Sequence, residues 1–472
     1  MARIATSFPI NKISPKNTHL CAMKQEKTLK QYLIETVSLA IPVVIGQLSA
    51  VFMNVTDNIM VGQLGPVYLS STSLGNSCFI LILILGFGAM NAIPSLVAEA
   101  RGGEQTADLR QLYTATIWSS TIWGLGIGIA IFLSTFLLPY LGQPAQEAEF
   151  AATFMQWLSL SAPFQIVFLG LKGYFDGMER TNVGMKVSIF GLFLNMALNY
   201  IFIFILHGGL AGSAIATTLS RILMVILLLY LVRRDPIVGP LAAAAPPQPT
   251  REWMLRIFRL GLPMGLQIFF EVAAFAGAAI MIGWMSDATA SRTAHQIAMN
   301  LASTTFMFAL GIAVAGSVQV GEALGRKNIA DMRTAGRAAL LLTTAFMVLS
   351  AFVMIAFRRQ FTAIYGIHDQ NILTLTQELI VICAIFQVFD GAQCVGAGLL
   401  RGLQDIRIPT IMTFVAYWVL WIPLAWLLGF RLNLGVKGIW YADLFALGFA
   451  AVILNTRFFW MLNRQKTNPQ NE

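Results

Sequence analysis

Long apolar stretches separated by short polar breaks fill the chain from about residue 33 to residue 461. Each stretch holds roughly 20 or more mainly apolar residues, which is the length that an α-helix needs to cross a bilayer. The stretches are continuous and rich in Leu, Ala, Gly and Met, whereas strands of a membrane β-barrel would alternate apolar and polar residues over about ten positions. The pattern therefore predicts an all-α integral membrane protein with about twelve transmembrane helices.

The second half of the chain repeats the first. VAEARGGEQTADLR, which begins at Val97, aligns with VGEALGRKNIADMR, which begins at Val320, at an offset of 223 residues. Three other matches keep the same order at offsets between 221 and 226 residues. Six spans per half is an even number, so both halves enter and leave on the same side and are related by an axis along the membrane normal. We therefore expect two pseudo-symmetric six-helix bundles with a cleft between them.

The domain boundaries follow from this repeat and from a Pro/Ala-rich segment, bounded by arginines, in the middle of the chain. The predicted division is a tail at 1–32, an N-lobe of six helices at 33–232, a linker at 233–253, a C-lobe of six helices at 254–461 and a tail at 462–472. Met23 is a plausible alternative start, so we assign no function to residues 1–22. Both tails are expected to be cytoplasmic.

Charge supports the membrane prediction and adds an orientation. With 57% hydrophobic residues, 11% charged residues and a mean hydropathy of +0.70, the chain lacks the polar surface of a soluble protein of 472 residues. Its net charge of +9 comes from Lys and Arg at the termini and in alternate loops, among them Arg401. The other set of loops holds only Arg292, Arg358, Arg359, Arg431 and Lys437. This asymmetry predicts a multi-pass protein of the cell (inner) membrane with both termini cytoplasmic, and no nucleic-acid partner.

Two acids lie inside predicted spans of the C-lobe. Glu271 follows Pro263 by eight residues, and the proline permits a bend in the helix. Asp390 has Gln387 and Gln393 three residues away on either side, on a nearby helix face. A carboxylate at bilayer depth costs at least about 2.5 kcal/mol, so such acids normally bind a cation or line a proton pathway. We predict that Glu271 and Asp390 bind Na⁺ or H⁺; an interhelical hydrogen bond is the structural alternative for each.

Further polar residues in predicted spans form a second candidate group. In the N-lobe, Asp57 is a third candidate for cation coupling, and Asn195 and Asn199 lie one turn apart on one helix face. We expect them to cluster with Thr217, although amides also hold helices together without any further role. The repeat aligns Asp443 with Thr217, so Asp443 is expected either beside the C-lobe acids or paired with Lys437. Glu99 and Glu322 are interpreted as loop structure near basic residues.

Enzyme and cofactor signals are weak. The chain has no phosphate-binding loop, no HExxH pair and no GxSxG elbow, and its four cysteines form no CxxC pair. Three of its four histidines, at 207, 295 and 368, are scattered. A membrane-embedded enzyme is therefore the weaker alternative, and no cofactor is expected beyond a coupling ion. Bundle packing is the default role of the 21 Met and 33 Phe residues, although such surfaces also suit varied lipophilic ligands.

Several motifs carry a resemblance to a known family. They are IPVVIGQLSAVFMNVTDNIMVGQLG in the first span, LNMALNYIFIF in the fifth, and LPMGLQIFFE, TAHQIAMN and VFDGAQCVGAGLLRGLQD in the second half. Over residues 30 to 460 the chain resembles the multidrug and toxic compound extrusion (MATE) transporters, and specifically their NorM-like branch. A related flippase for lipid-linked oligosaccharides would be expected to line its cleft with several Arg or Lys, whereas Arg221 is the main intramembrane basic candidate here.

The resemblance implies a two-lobe fold of twelve helices that opens outward in a V. It further implies export of lipophilic or cationic drugs in exchange for Na⁺ or H⁺ by alternating access, and we expect a monomer. The cation would bind the acids matching Glu271 and Asp390, which are the candidate Na⁺ ligands. In several family members a lobe-one cluster, matching Asp57, Asn195, Asn199 and Thr217, also takes part. Some members carry a tyrosine where this chain has Phe386.

Overall fold

The computed structural model describes residues 27–141, 144–285, 287–366 and 369–466. Within these residues the regular structure is helical, without a strand. Among the described residues, eleven helices are long and apolar enough to cross a membrane, and a helix pair bent by 47° forms a twelfth span if counted as one. The predicted all-α membrane fold is therefore confirmed. The alternative start at Met23 and most of the predicted C-terminal tail lie outside the described residues.

We number the spanning helices α1 to α12 in chain order. The first six are α1 (Leu29–Gly62), α2 (Pro66–Gly102), α3 (Thr106–Tyr140), α4 (the bent pair Ala145–Ser159 and Ala162–Gly177), α5 (Thr181–Ile205) and α6 (Gly209–Arg234). The second six are α7 (Arg251–Gly283), α8 (Ala288–Gly325), α9 (Ile329–Ala356), α10 (Gln370–Gly402), α11 (Arg407–Arg431) and α12 (Gly435–Lys466). Two short helices, Val238–Ala243 and Arg358–Ala363, connect spans.

The backbone confirms the internal repeat at its turns. Residues with positive φ occur at equivalent positions of the two halves, with nearly equal angles. The pairs are Glu104 and Lys327 (both 57°), Glu179 and Gln404 (both 60°), His207 and Asn433 (both 53°), and Gly209 and Gly435 (54° and 59°). Their offsets of 223 to 226 residues equal those of the sequence repeat. Because positive φ is uncommon for a residue other than glycine, this agreement indicates that the two bundles share one backbone design.

Prolines and irregular turns shape the spanning helices. Pro42 in α1 and Pro263 in α7 each lie within a continuous helix and remove one backbone hydrogen bond there. Helices α5 and α11 both end in π-helical turns, Tyr200–Ile205 and Leu427–Arg431, which occupy equivalent positions of the repeat. The halves therefore share these two prolines and these two π-helical turns as well as the positive-φ positions.

Glycines let the two lobes approach each other closely. Gly88 of α2 packs directly on Gly265 of α7, and the equivalent Gly311 of α8 packs on Val44 of α1. A side chain at Gly88 would lie 2.7 Å from the backbone nitrogen of Gly265, and one at Gly311 would lie 2.5 Å from a methyl carbon of Val44. Small residues at such crossings allow close helix packing where no hydrophobic effect drives association.

The lobes also meet at the end of the molecule that carries Arg101, Arg256 and Arg326, which we call the basic end. There Gly102 of α2 lies against the backbone of Glu322 in α8, and Gly325 of α8 lies against the backbone of Glu99 in α2. Exposed polar side chains follow one face of α8 toward the opposite, far end: Gln296, Asn300, Ser303 and Thr304. We infer a cleft that is closed at the basic end and widens toward the far end.

The segment predicted as a linker packs on the N-lobe. Asp235 accepts hydrogen bonds from the backbone N–H groups of Ile237 and Val238, at 2.9 and 3.0 Å, and from Arg180 at 2.7 Å. Burial alone would raise the pKa of the Asp235 carboxyl, but these donors outweigh it and hold the pKa below its ordinary value. Thr114 of α3 donates to the carbonyl of Pro246 at 2.7 Å. The connection between the lobes is thus anchored along its length.

Candidate functional site

A cavity of about 460 Å³ lies between the two lobes. Helices α1 and α2 form one wall, and α7, α8 and α10 form the other. Most lining side chains are apolar, with three methionines and the rings of Phe87, Phe275, Phe306 and Phe386 among them. The polar lining consists of Gln47, Asn54, Gln267, Glu271, Ser303, Asp390, Gln393 and Arg401. An apolar cavity of this volume with a few converging polar groups is typical of a small-molecule site.

Both predicted acids of the C-lobe line this cavity. Glu271 projects from α7 and Asp390 from α10, and Asp443 of α12 is buried within electrostatic range of Asp390. The Oδ1 atom of Asp390 is buried and has no hydrogen-bond partner among the described residues. Ionised carboxylates held this close repel one another, so a bound cation or proton stabilises the cluster. Asp443 thus belongs with the other two acids, while Lys437 pairs with Glu378 instead.

The two glutamines that flank Asp390 are already engaged by neighbouring helices. The Oε1 atom of Gln387 accepts a hydrogen bond from Thr305 of α8 at 2.6 Å. The Oε1 atom of Gln393 accepts one from the hydroxyl of Tyr417 in α11 at 3.0 Å. Gln393 lines the cavity and Gln387 does not. Of the two glutamines, therefore, only Gln393 contributes its side chain to the cavity lining.

In the N-lobe, the four predicted polar residues form one hydrogen-bonded chain. Asn199 donates to the carboxylate of Asp57 and, at 3.2 Å, to Asn195. Asn195 in turn donates to the hydroxyl of Thr217 at 3.3 Å. Both asparagines are fully buried. The chain lies outside the cavity lining, so the N-lobe acid and the C-lobe acids occupy different environments.

A positive charge accompanies the N-lobe acid. Arg221 of α6 is half-buried and interacts electrostatically with Asp57. Its guanidinium donates to the hydroxyl of Ser161 at 2.5 Å and lies 5.4 Å from the ring centroid of Phe79. Arg221 therefore provides a counter-charge for Asp57 from within the same lobe.

Arg401 lies in the cavity lining, although its position suggested a loop residue that contributes to membrane orientation. It precedes the end of α10 at Gly402, and its side chain turns back so that Nε donates to the carbonyl of Ala397 at 3.3 Å. It interacts electrostatically with Glu271. The internal repeat could have indicated that Arg401 is not a loop residue. Gly402 aligns with Gly177, so Arg401 aligns with Asp176, which is a buried acid of the N-lobe.

Ion pairs join the lobes at the basic end. Arg101 of α2 pairs with Glu322 of α8 at 2.7 Å, and Arg256 of α7 pairs with Glu99 of α2 at 2.8 Å. Glu99 and Glu322 therefore form ion pairs between the lobes, whereas the sequence led us to interpret them as loop structure. Arg101 also pairs with Glu179 at 2.6 Å; burial nevertheless raises the pKa of the Glu179 carboxyl above its ordinary value.

The described part of the chain was also searched for clusters of metal-ligating side chains. No group of three or more His, Cys, Asp or Glu side chains there has the arrangement of a metal site. His295 is buried edge-on against Trp440, and its Nδ1 has no hydrogen-bond partner among the described residues. Phe386, where some members of the resembled family have tyrosine, packs its ring against the same tryptophan.

Comparison with known proteins identifies relatives over nearly the whole chain. The MatE family model matches residues 42–201 and 263–427. The protein named "Probable multidrug resistance protein NorM" of Rhizobium meliloti is 31% identical over 445 residues, covering 91% of this chain and 94% of the relative. "Multidrug resistance protein NorM" of Vibrio cholerae is 29% identical, covering 92% of this chain and 96% of the relative.

Solved structures share the fold. "Crystal structure of eukaryotic MATE transporter AtDTX14" has a TM-score of 0.81 at 20% identity and covers 92% of this chain and 99% of its own. "Outward-facing conformation of a multidrug resistance MATE family transporter of the MOP superfamily" has a TM-score of 0.82 at 21% identity, with coverages of 94% and 98%. These likenesses extend to both lobes.

Proposed function

Because this chain belongs to the MATE family of multi-pass membrane transporters, we propose that it is an antiporter that exports lipophilic or cationic compounds in exchange for Na⁺ or H⁺. The observation that carries this proposal is the apolar cavity between the lobes, lined by Glu271 and Asp390. Proteins named for multidrug resistance, at about 30% identity over most of the chain, support the choice of drugs as substrates.

Competition for the C-lobe carboxylates links drug to ion. A cationic drug in the cavity is attracted by Glu271 and Asp390, while its apolar part lies against the methionine and phenylalanine side chains. A cation or proton that arrives at the same carboxylates removes this attraction and releases the drug. Since a ligand shifts a conformational equilibrium only by its differential affinity for the two states, the ion also favours the lobe arrangement that binds it better.

The orientation of the protein follows the positive-inside rule in this proposal. The basic end, with Arg101, Arg256 and Arg326, faces the cytoplasm, and the cleft opens to the opposite side of the cell membrane. Both termini are then cytoplasmic. One chain supplies both lobes and every cavity wall, so we propose that it works as a monomer.

The coupling ion is decided by chemistry at the carboxylates. A proton requires one carboxyl group, and the buried Oδ1 of Asp390 supplies a vacant acceptor. Hard cations such as Na⁺ require several oxygen ligands, by analogy with Ca²⁺ and Mg²⁺, and Glu271 and Gln393 contribute further oxygens to the same cavity. Both ions therefore stay in the proposal until they are tested separately.

Transport in proteoliposomes tests this function. Purified protein is reconstituted, and efflux of a fluorescent lipophilic cation is followed under a Na⁺ gradient alone and under a pH gradient alone. We expect one of the two gradients to drive efflux and Glu271→Gln to abolish it. The matched control is Glu378→Gln, which removes a carboxylate from an ion pair outside the cavity. Efflux that no gradient drives, or that survives Glu271→Gln unchanged, would contradict the proposal.

A further inference from the structure

A second pocket, of about 590 Å³, lies at the basic end, where α7 and α11 begin. Three arginines line it, Arg256 and Arg259 of α7 and Arg407 of α11. None of its lining residues lines the cavity between the lobes, so the two are separate sites. We call it the α7–α11 pocket.

Two of the three arginines have no charged partner in the described structure. Arg256 is engaged, because it donates hydrogen bonds to Glu99 at 2.8 Å and to Gln404 at 2.7 Å. Arg259 and Arg407 are exposed, and neither forms an ion pair with a described residue. Their guanidinium groups therefore remain available to an anion from outside the protein.

The acids of the lining leave this positive charge in excess. Asp405 is already paired, at 2.5 Å, with Arg457 of α12. Glu252 is the other acid of the lining, and it is exposed. Once the paired groups are set aside, two arginines thus face one exposed carboxylate, and the α7–α11 pocket is net positive.

The start of α11 adds backbone donors to the same pocket. The helix begins at Arg407, and no side chain caps its first turn. The N–H groups of a first turn have no partner within the helix, and they form the positive end of the helix dipole. Both properties favour a phosphate group, which arginine also binds through two parallel N–H donors.

Apolar side chains continue from the two arginines along the outer faces of both helices. Leu262 follows Arg259 by three residues, and Ile411 follows Arg407 by four, so each lies one turn farther from the basic end on the same helix face. Leu262 and Ile411 are 50% and 51% exposed, and they line neither the pocket nor the cavity between the lobes. An exposed apolar face on a spanning helix contacts lipid. The pocket therefore lies where lipid headgroups meet their acyl chains.

The N-lobe lacks the same arginines at the equivalent positions of the repeat. The paired positions are Arg256 and Glu35, Arg259 and Ser38, and Arg407 and Asn182. The shared backbone therefore does not require positive charge here. Orientation in the membrane is the alternative role for Arg259 and Arg407, and it would not require them to meet at one pocket.

We propose that the α7–α11 pocket binds the phosphate headgroup of an anionic phospholipid in the leaflet at the basic end. The phosphate lies against Arg259, Arg407 and the first-turn N–H groups of α11, and the acyl chains follow the exposed apolar faces of both helices. Basic pockets between membrane helices recognise anionic headgroups in this way. The proposal goes beyond the transport function and does not rest on it, because the lipid binds outside the cavity between the lobes.

Lipid binding to the full-length protein tests the site without any ion gradient. Protein purified in detergent and stripped of lipid is titrated with dioleoylphosphatidylglycerol or with dioleoylphosphatidylcholine, which has the same acyl chains and no net charge. Native mass spectrometry gives the Kd of the first bound lipid. An arginine near an anionic headgroup contributes about fivefold in affinity, so Arg259→Gln/Arg407→Gln should weaken binding of the anionic lipid about 25-fold. Binding of the neutral lipid should change by less than about threefold.

Arg233→Gln/Arg251→Gln is the matched control, because it removes the same charge from two exposed arginines outside the pocket. It should leave both Kd values within about threefold of the wild type. Equal losses in the two double variants, or a wild type that binds both lipids equally, would overturn the proposal. If Arg259→Gln/Arg407→Gln does not fold, the single variants decide: each should weaken binding of the anionic lipid about fivefold, and no change in either rejects the site.

Glycerol phosphate distinguishes a lipid headgroup from a free phosphate, because it carries the headgroup chemistry without acyl chains. Added in excess, it should leave dioleoylphosphatidylglycerol bound, since the acyl chains contribute to lipid affinity through their contact with α7 and α11. Displacement of the lipid by glycerol phosphate would overturn the assignment to phospholipid and identify a site for a soluble phosphate compound.

Discussion

The two lobes share a backbone and differ in how they neutralise charge. In the N-lobe, Asp57 is held by Asn199 and faces Arg221. In the C-lobe, Glu271 and Asp390 line the cavity together, and one oxygen of Asp390 lacks a hydrogen-bond partner among the described residues. Buried charges are costly unless they are paired. Asp57 therefore has a hydrogen-bond donor and a counter-charge in its own lobe, whereas Asp390 lies beside two other acids, Glu271 and Asp443.

This difference indicates that the two lobes have separate roles although they share one backbone architecture. The paired positive-φ turns and the glycine crossings at Gly88 and Gly311 recur in both lobes, so the repeat accounts for the architecture. The acids within α1 and α7 do not recur: Glu271 aligns with Ala50, and Asp57 aligns with Ala278. We infer that coupling chemistry is concentrated in the C-lobe and that the N-lobe cluster mainly supports structure.

The largest expected effect is on transport. Asp390→Asn should reduce gradient-driven efflux about 5- to 150-fold, because it removes a coupling free energy of about 1–3 kcal/mol. Asp57→Asn should retain efflux within about threefold on the same scale, because Asp57 lies outside the cavity lining. Initial efflux rates in proteoliposomes provide the measurement.

Asp369→Asn is the matched control for that experiment. Asp369 caps the start of α10, where its carboxylate accepts the backbone N–H of Asn371 at 2.8 Å, and asparagine caps helices equally well. It should transport as the wild type does. Loss of efflux in Asp57→Asn, with efflux preserved in Asp390→Asn, would reverse the comparison between the lobes.

Asp57→Asn and Asp390→Asn should also differ in thermal stability. Asp57→Asn leaves Arg221 without its neighbouring carboxylate, and removing one partner of a desolvated pair is destabilising. We expect its thermal midpoint in detergent to fall by roughly 1 °C for each kcal/mol lost, because the unfolding entropy grows with chain length. Asp390→Asn removes a like charge from beside Glu271 and Asp443, so its midpoint should stay or rise. A lower midpoint for Asp390→Asn than for Asp57→Asn would show that the internal pairing has been assigned to the wrong lobe.

The glycine crossings offer a finer comparison. Gly88→Ala should cost about 1–3 kcal/mol, because the new methyl group meets the backbone of α7 at Gly265. Gly311→Ala should cost less, because its nearest neighbour is the side chain of Val44, which is able to move. Gly126→Ala is the control, since nothing lies within 4 Å of a methyl group there. Thermal midpoints of the three variants test this order, and equal losses at all three would refute it.

The smallest expected effect concerns the ion pairs at the basic end. The ion pairs of Arg101 with Glu322 and of Arg256 with Glu99 are partly exposed, so each contributes about 0.2–1 kcal/mol. Loss of one pair changes the equilibrium between the closed and open basic end at most about fivefold. Arg256→Glu should speed labelling of a cysteine introduced at the buried Ala98 from the basic end. Adding Glu99→Arg should slow it again, because the pair is restored with reversed polarity. Unchanged labelling in Arg256→Glu would remove these pairs from the closure of that end.

Hydropathy and the repeat were enough to predict the all-α fold and its two bundles, since both depend on local length and periodicity. Residue types at bilayer depth also led to Glu271, Asp390 and Asp443, which the structure brings together, because a carboxylate in a span needs a nearby partner. The hydrogen-bonded chain from Asp57 to Thr217 followed from residues one turn apart and from the helix that succeeds them.

The remaining features depend on side-chain direction at helix ends, which periodicity does not encode. Arg401 looked like one more basic residue beside a loop, but its side chain turns into the cavity. Glu99 and Glu322 looked like loop acids, but the crossing of α2 and α8 places them against the opposite lobe. The charged groups that Arg401, Glu322 and Glu99 approach are Glu271, Arg101 and Arg256, which lie far away in the chain, so the local sequence holds no record of these contacts.

One measurement tests the division of labour between the lobes most directly. Binding of tetraphenylphosphonium, a lipophilic cation, to the purified protein in nanodiscs is titrated against Na⁺ at fixed pH and against pH without Na⁺. For the wild type and Asp57→Asn, we expect the apparent Kd to rise with one of the two ions. For Asp390→Asn, the Kd should no longer depend on that ion. If the dependence instead survives in Asp390→Asn and disappears in Asp57→Asn, the coupling site lies in the N-lobe and the account is wrong.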